Sequence, residues 1–422
     1  MKHVVIGAGP AGVVAAETLR KLQSDAQVTL VSDEPEPPYS RMAIPYFLVD
    51  QIKEDGTYLR KNANHFESRG IDIVQARAAR LDCKSRQIEL DGGRSLPYDR
   101  LLVATGSRPV SPPIPGIDSD GVTACWTLAD ARRIAATAKP GARVVLMGAG
   151  FIGCIILEAL AKSGATLTVV EMEDRMVPRM MNDTAGNLIK DWCGKQGVKV
   201  HTSMRVTAIE KDAGALRVVL ESGETIDADM VVSATGVKPN LELVEAAGIK
   251  TDQGILVDRH LCTSDENVFA AGDVAQGIDF STGEYSVQAI QPTAVDHGQL
   301  AARNMAGLAG AIHRGCVNMN VLDTMGLISS SFGLWMGKDG GDCSELLNRE
   351  RFRYLNLQFA DDVLVGATSL GLTEHVGVLR GLIQSKTRLG KWKDRLREDP
   401  TRIMEAYLAS TQAIGFNASV MR

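Results

Sequence analysis

The sequence predicts an α/β protein with two Rossmann-like, three-layer dinucleotide-binding domains and an α+β domain at the carboxyl terminus. Two glycine-rich turns carry this prediction. Each follows a short apolar segment, opens a segment of helical character and has an acidic residue after the next apolar segment. The chain of 422 residues is too long for one compact core. After about Asn320 the pattern changes to strand-like stretches, which predicts a third domain.

The first unit begins at the amino terminus. His3–Ile6 is predicted as a strand, Val13–Leu22 as a helix and Val28–Val31 as a second strand, the first half of a βαβ unit. Between strand and helix lies the turn Gly7-Ala8-Gly9-Pro10-Ala11-Gly12. In such a turn the first glycine permits the bend, the second lets the backbone approach a pyrophosphate and the third lets helix and strand pack closely. The helix amino terminus favours the negative charge of the phosphates.

The second unit begins at Arg143 and repeats the pattern, with a helix to Ser163 and a strand that leads to Glu171. Its glycines are Gly148, Gly150 and Gly153. A carboxylate at this strand end binds the adenosine ribose and repels a 2′-phosphate, so Glu171 favours NAD(H) over NADP(H). The nearby cations Arg175 and Arg179 weaken that preference. In the first unit three residues remain candidates for the ribose contact: Ser32, Asp33 and Glu34.

The composition is that of an ordinary globular protein, with a formal net charge of -5 and a pI of about 5.9. This charge balance argues against nucleic acid or a membrane surface as the main partner. No run of about 18 apolar residues is present, so no membrane span is expected. The amino-terminal apolar segment leads straight into the glycine turn and lacks the features of a signal peptide, so we expect a cytoplasmic protein.

The 7 cysteines are dispersed along the chain, and no two of them form a CxxC or CxxxxC pair. This pattern indicates a reducing compartment and no disulfide framework. It also leads us to expect neither a structural zinc site nor an iron–sulfur cluster within this chain, and the sequence analysis assigns no metal ligands.

Five segments occur in order along the chain: VVIGAGPAG, LLVATG, VVLMGAGFIG, VVSATGVKPN and NVFAAGDVA. On these segments the chain resembles, over about residues 1–320, the two-dinucleotide-binding FAD/NAD(P)-dependent oxidoreductases. That family includes rubredoxin and ferredoxin reductases, NADH oxidases, coenzyme A disulfide reductases and the large subunit of assimilatory nitrite reductase. The resemblance implies an FAD-binding domain from 1–115 and 255–318 and an NAD-binding domain from 116–254. A carboxyl-terminal interface domain with a helical tail, 319–422, would follow.

The resemblance also implies which residues bind each cofactor. For FAD they are Gly7, Gly9, Pro10, Ala11, Gly12, the candidates Ser32, Asp33 and Glu34, then Arg41, Ala78, Ala104, Thr105, Gly106, Gly272, Asp273, Pro292 and Thr293. For NAD they are Gly148, Gly150, Phe151, Ile152, Gly153, Glu171 and Gly236. Arg41 would approach the flavin and Asp273 the ribityl–phosphate end. No catalytic side chain is assigned, because the cofactors themselves carry the hydride between nicotinamide and flavin.

Two positions depart from the family pattern. Peroxide- and disulfide-reducing members place a reactive cysteine where this chain has Met42, and a thioether forms no thiolate. Many relatives carry an acid near the nicotinamide where this chain has Ile155, and Glu158 lies further along the helix. The histidines His260 and His297 are candidates for a catalytic role, although a lone histidine is more often structural.

Without a neighbouring thiol, the flavin's second electron partner must be another protein, oxygen or a small acceptor. Arg380–Arg397 is basic and amphipathic in an otherwise acidic chain, which fits either a helix packed on its own core or a docking face for an acidic iron–sulfur, ferredoxin-like partner. The helical stretch from about Glu374 to Thr411 is expected to be interrupted near Pro400.

The tail also resembles the flavin subunit of multi-subunit 2-oxoacid:NAD oxidoreductases such as phenylglyoxylate dehydrogenase. That resemblance implies an electron-transfer subunit that works with further 2-oxoacid oxidoreductase subunits. The alternatives are a free-standing NADH-dependent rubredoxin, ferredoxin or nitrite-type reductase, and a non-catalytic flavoprotein that senses redox state. The sequence leaves the oligomeric state open, a homo-oligomer included.

Overall fold

A parallel five-stranded sheet forms the centre of the amino-terminal unit in the computed structural model, which describes residues 1–212, 214–308 and 310–420. Across the sheet its strands are Val268–Ala270, Arg100–Val103, Lys2–Ile6, Gln27–Ser32 and Ile71–Gln75. The strands are rich in valine, leucine and isoleucine because both faces of a parallel sheet are covered. The helix Pro10–Leu22 follows the first strand and packs beside Gln291–Met305.

The second unit also has a parallel five-stranded sheet, and in both sheets the central strand is the one that leads into the glycine turn. Across the sheet its strands are Lys199–His201, Thr166–Val170, Arg143–Met147, Met230–Ser233 and Val122–Ala124. Its helices are Leu128–Thr137, Phe151–Lys162 and Asp183–Lys195. Thr127 and Asp130 form a capping box at the start of the first of these, which satisfies free backbone N–H groups there. The strand and helix predictions for both units are therefore confirmed.

Small antiparallel sheets complete the two units. In the first unit one follows Ile71–Gln75 along the chain and consists of Ala78–Asp82, Gln87–Leu90 and Ser95–Pro97. In the second unit one follows Lys199–His201 and consists of Val206–Asp212, Ala215–Leu220 and Thr225–Ala228. A further sheet consists of Ile255–Leu256, Ala275–Ile278 and Tyr285–Val287. The remaining short helices are Ile44–Leu48 and Glu242–Ala246, with 3-10 turns at Arg41–Ala43, Glu54–Thr57, Glu67–Arg69, Asp91–Gly93 and Gly272–Val274.

The chain passes between the two units through a pair of short strands. Ser107–Pro109 leaves the first unit and pairs antiparallel with Val237–Pro239, which leaves the second. The Asn240 amide nitrogen donates to the carbonyl oxygen of Thr105 at 2.8 Å, and the Arg108 guanidinium donates to the Asn240 side-chain oxygen at 2.6 Å. The first parallel sheet takes strands from both 1–115 and 255–318, while the predicted domain boundaries themselves remain predictions.

An antiparallel five-stranded sheet forms the carboxyl-terminal region, which confirms the predicted α+β character. Across the sheet its strands are Met319–Thr324, Leu327–Gly333, Val363–Leu370, Arg353–Ala360 and Asp342–Asn348. The sheet also contacts the second unit, where the amide of Asn182 donates to the Tyr354 hydroxyl at 2.6 Å. Its buried side chains Leu322, Leu327 and Tyr354 join the hydrophobic core of that unit.

The tail forms three helices rather than one long helical stretch with a single interruption. They are Val376–Ser385, Lys391–Glu398 and Ile403–Val420. The interruption near Pro400 is confirmed, but a second break lies between Lys386 and Gly390, where both residues have positive φ, 48° and 55°. There the backbone N–H groups of Leu389 and Gly390 donate to Asp362, so the chain turns onto the sheet. Among the described residues no helix is long and apolar enough to cross a membrane.

Candidate functional site

One cleft of about 1360 Å³ runs along the glycine turns of both units. Sites for a single small molecule measure about 300–1,000 Å³, so this cleft has room for more than one ligand. Its walls include Gly9 from the first turn, Gly150 from the second and Asn318–Val321 from the entry to the carboxyl-terminal sheet. The two predicted nucleotide sites therefore open into one continuous space.

The two glycine turns have matching geometry. Gly7 and Gly148 have φ of +107° and +94°, a region that favours glycine. A Cβ on Gly12 would lie 1.8 Å from the carbonyl oxygen of Gly7, and one on Gly153 would lie 2.2 Å from that of Gly148. These third glycines therefore permit the close packing of helix and strand.

The second glycine of each turn faces open space, since a Cβ on Gly9 or Gly150 would meet no atom within 4 Å. Each of these glycines immediately precedes a helix, Pro10–Leu22 or Phe151–Lys162. The backbone N–H groups at the two helix amino termini favour an anion. Both turns consequently fit a dinucleotide pyrophosphate.

Glu171 lies directly after its strand and is buried in the cleft wall, with 5 % of its surface exposed. One carboxylate oxygen accepts from the backbone N–H of Ala149 at 2.6 Å and the other from that of Glu173 at 2.9 Å. The backbone register aligns this position with Ser32, because Gly7 donates to Val31 as Gly148 donates to Val170. The first unit thus has a hydroxyl where the second unit has a carboxylate.

Of the three ribose candidates, Glu34 is already engaged by other side chains. Its carboxylate accepts from the Arg41 guanidinium at 2.5 Å and from the Tyr39 hydroxyl. Arg41 also donates to the carbonyl oxygen of Trp126 at 2.7 Å and lies over the Trp126 ring. Arg41 is therefore fixed at the cleft wall by groups from both units. Asp33 is exposed at the cleft, and Ser32 is half-buried there.

Asp273 occupies a 3-10 turn, Gly272–Val274, on the same wall. Burial raises the pKa of its carboxyl, while a hydrogen bond from the Ser107 hydroxyl at 3.2 Å and the charge of Arg41 act in the opposite direction. The helix Gln291–Met305 begins beside it, and Gln291 and Pro292 line the cleft. A Cβ on Gly298 would lie 2.2 Å from the carbonyl oxygen of Ala11, so this helix is packed closely against the first glycine helix.

The structure brings most of the predicted site residues into the cleft wall. Those that line it are Gly7, Gly9, Pro10, Ala11, Ser32, Asp33, Glu34, Arg41, Ala104, Thr105, Gly106, Gly272, Asp273, Pro292, Gly148, Gly150, Phe151, Ile152, Glu171 and Gly236. Gly12, Gly153, Thr293 and Ala78 do not line it. Gly12 and Gly153 lie behind the wall, where they permit the close packing of helix and strand. Ala78 begins a strand of the small antiparallel sheet of the first unit.

The two departures from the family pattern both lie at the cleft. Met42 is exposed by 44 % and Ile155 lines the wall, while Glu158 does not line it and pairs with Lys162 instead. Glu158 is thus no substitute for an acid at position 155. Cys125, which no motif of the sequence marks as a site residue, also lines the cleft beside Trp126. Burial raises the pKa of the Cys125 thiol to about 12, so the group stays protonated near neutral pH.

The two histidine candidates lie away from the cleft. His260 is exposed, and its ring contacts the carbonyl oxygen of Ala311. His297 is a buried residue of the helix Gln291–Met305, and burial lowers its pKa to about 3. Among the described residues, the ring hydrogen bonds of His260 and His297 go to residues that do not line the cleft. Neither histidine therefore stands where a hydride would be exchanged.

Comparison with known proteins agrees with this geometry. Residues 1–298 match the family model described as pyridine nucleotide-disulphide oxidoreductase. The chain is 31% identical over 412 residues to the NADH-dependent phenylglyoxylate dehydrogenase subunit epsilon of Aromatoleum evansii, which covers 97% of this chain and 98% of the relative. It is 27% identical over 386 residues to a rubredoxin-NAD(+) reductase of Ectopseudomonas oleovorans, covering 91% and 99%.

Among solved structures, an NAD-dependent persulfide reductase from A. fulgidus is similar with a TM-score of 0.85 and 30% sequence identity. The alignment covers 93% of this chain and 78% of that chain. The rubredoxin-NAD(+) reductase is named for rubredoxin, and a further relative, from Paraburkholderia xenovorans, is named a ferredoxin--NAD(+) reductase component.

Proposed function

The chain belongs to the pyridine nucleotide-disulphide oxidoreductase family, and from this we infer that it is an electron-transfer subunit that links FAD and NAD(H) to an iron–sulfur protein. The oxidoreductase class and the two cofactors follow from the family and its NAD(H)-dependent members. FAD and NAD supply the hydride chemistry, and the protein holds and orients them. The observation that carries the proposal is the single cleft lined by both glycine turns.

We assign the cofactors to the two ends of this cleft by their turns. Gly7, Gly9 and Asp273 would hold FAD, with Ser32 or Asp33 at its ribose. Gly148, Gly150 and Glu171 would hold NAD. The carboxylate of Glu171 is the reason to expect NAD(H) rather than NADP(H), because a 2′-phosphate would meet a buried negative charge.

The electrons are proposed to leave the chain rather than pass to an internal thiol. Met42 has no thiol, and Cys125, the cysteine in the cleft wall, stays protonated because burial raises its pKa to about 12. All the cysteines are free in the described structure, so no disulfide stands ready to accept a hydride equivalent. The flavin is therefore proposed to exchange electrons with an external one-electron partner, as donor or acceptor.

The basic tail supports docking of an acidic iron–sulfur partner. Its apolar residues Leu382, Leu389 and Leu396 are buried in the carboxyl-terminal core, so the helices pack on their own domain. Its cations face solvent: Arg380, Lys386, Arg388, Lys391, Arg395 and Arg397 are exposed. We call these six residues the basic face. In a chain of net charge -5, such a face would attract and orient an acidic protein.

We further propose that the partner belongs to a multi-subunit 2-oxoacid oxidoreductase of the phenylglyoxylate dehydrogenase type. The family model ends at residue 298, whereas the similarity to the phenylglyoxylate dehydrogenase subunit covers 97% of the chain. The similarity therefore includes the region that carries the basic face. In this setting electrons from the 2-oxoacid would reach NAD⁺ through the iron–sulfur protein and FAD.

A tagged full-length chain, purified anaerobically from its native cells, tests this assignment. We expect it to bring down subunits that contain thiamine diphosphate and iron–sulfur clusters, and to reduce NAD⁺ when the 2-oxoacid is supplied. A chain recovered alone that transfers electrons from NADH to rubredoxin at full rate would instead establish the free-standing reductase. Rapid mixing with NADH distinguishes an electron-transfer subunit from a non-catalytic redox sensor, because NADH would not bleach the flavin absorbance of the sensor.

A further inference from the structure

Three metal-ligating side chains that do not line the cleft meet at the helix Gln291–Met305. The Nε2 atoms of His297 and His313 are 3.2 Å apart, and the Sγ atom of Cys316 lies 3.3 Å from His313 Nε2. The same sulfur is 3.9 Å from His297 Nε2. All three ligand atoms lie within 4.8 Å of one another. His297 comes from the helix, whereas His313 and Cys316 come from the segment that leads into the carboxyl-terminal sheet.

Hydrogen bonding alone does not account for this arrangement. Each nitrogen of a neutral imidazole is either a donor or an acceptor with a single lone pair. Nε2 of His313 faces both Nε2 of His297 and the thiol of Cys316, so it satisfies one neighbour at the expense of the other.

A tetrahedral metal ion satisfies all three atoms together. With zinc–nitrogen distances of about 2.0–2.1 Å and a zinc–sulfur distance of about 2.3 Å, tetrahedral ligands lie about 3.3 Å apart for two nitrogens and about 3.5 Å for nitrogen and sulfur. The separations of 3.2, 3.3 and 3.9 Å bracket these values. Imidazole and thiolate ligands also favour zinc over harder cations, which prefer oxygen ligands.

The surroundings suit a cation. Asp296 precedes His297 in the helix and Asp279 pairs with Cys316 through a β-bridge, so two acidic residues adjoin the cluster, while the cation Arg380 also acts on Cys316. Only 3 % of the surface of His297 and 9 % of that of His313 is exposed, so surrounding residues hold both rings in place.

We propose that His297, His313 and Cys316 form a zinc site with one solvent-filled coordination position. On binding, the Cys316 thiol would lose its proton to solvent and bond to zinc as a thiolate, so one proton leaves for each ion bound. The site would join the helix that begins at the cleft to the segment that enters the carboxyl-terminal sheet at Met319. This inference does not depend on which protein receives the electrons.

Zinc titration of the full-length, FAD-loaded protein tests the site. After treatment with a chelator and dialysis, the protein is titrated with zinc chloride against a chromophoric competitor. We expect one ion per chain in the unchanged protein and binding weaker by more than about tenfold in Cys316→Ser. Cys343→Ser is the matched control, because Cys343 is exposed and outside the cluster. Flavin absorbance reports whether each variant is folded.

X-ray absorption at the zinc edge provides a readout that needs no variant. One sulfur at about 2.3 Å and two nitrogens at about 2.0–2.1 Å would support the assignment. A shell without sulfur would overturn it, as would equal zinc binding by Cys316→Ser. Failure of the unchanged protein to bind one ion per chain would also overturn it, and the proposed electron-transfer function would still stand if NADH then reduces the flavin.

Discussion

The carboxylate of Glu171 accepts a hydrogen bond from the backbone N–H of Ala149, with 2.6 Å between the two atoms. Ala149 lies in the middle of the second glycine turn. The residue expected to select the ribose therefore also holds the turn expected to receive the pyrophosphate. Both effects concern one buried carboxylate, so one substitution is expected to disturb both.

Replacement of Glu171 by glutamine is expected to weaken NADH binding by about tenfold or more. The amide keeps one acceptor but turns an N–H group towards a backbone donor, and a hydrogen bond to a charged group contributes about 1.5–3 kcal/mol. The ratio of kcat/KM for NADH to that for NADPH should fall with it. Glu158→Gln is the control, because Glu158 pairs with Lys162 outside the cleft. Unchanged NADH affinity in Glu171→Gln would contradict the ribose assignment.

The third glycines offer a way to separate the two cofactor sites. Gly12→Ala should lower FAD content, and Gly153→Ala should keep FAD but lose NADH binding, because each Cβ would overlap a carbonyl oxygen of its own turn, at 1.8 and 2.2 Å. Overpacking of this kind costs about 1–3 kcal/mol or more. Flavin absorbance and NADH titration measure the two losses. Gly194→Ala, in open space on a helix, is the control and should be neutral or stabilising.

Alkylation of the cysteines is expected to leave flavin reduction unchanged at pH 7–8. The pKa of Cys125 is raised to about 12, so its reactive thiolate form becomes appreciable only as the pH rises towards that value. Exposed Cys343 should react with iodoacetamide first, as peptide mass spectrometry can follow. Rapid alkylation of Cys125 at pH 7, with loss of NADH-dependent flavin reduction, would show that a thiol takes part after all.

Charge reversal on the basic face is expected to weaken coupling to an acidic iron–sulfur partner. The double variant Arg388→Glu and Lys391→Glu should lower kcat/KM for the partner about tenfold at low salt, and less at high salt, because steering by exposed charges is screened. NADH reduction of the flavin should not change. The control is a second double variant, Lys61→Glu with Lys84→Glu, which makes the same change of charge at exposed positions elsewhere. Equal losses in both double variants would argue against a localised docking face.

The sequence was sufficient where function depends on neighbours along the chain. The glycine turns, the strands before them and the position of Glu171 follow from local pattern, because the chemistry of a dinucleotide turn is contained in about ten residues. The tail was predicted less well. Its second break depends on Asp362, which accepts from Leu389 and Gly390 across the fold and gives no signal in the helix itself.

Contacts between distant segments were likewise beyond reach. Cys125 lies in the cleft because it directly follows the strand Val122–Ala124, which pairs with Met230–Ser233 more than a hundred residues away. The expectation of no zinc site rested on the absence of paired cysteines and stays a prediction, whereas the site proposed above would combine two histidines with one cysteine. Its helix and loop ligands follow no spacing rule that a search for CxxC pairs would detect.

The paired connectors between the two units give the molecule a local twofold axis. Val110 N donates to Gly236 O at 2.9 Å and Asn240 N donates to Gly106 O at 3.0 Å, so each repeat bonds the other through equivalent positions. A single inserted residue in either connector would shift the register of both. A change in the spacing of the two units would therefore require matched changes in both connectors, which lie far apart in the sequence.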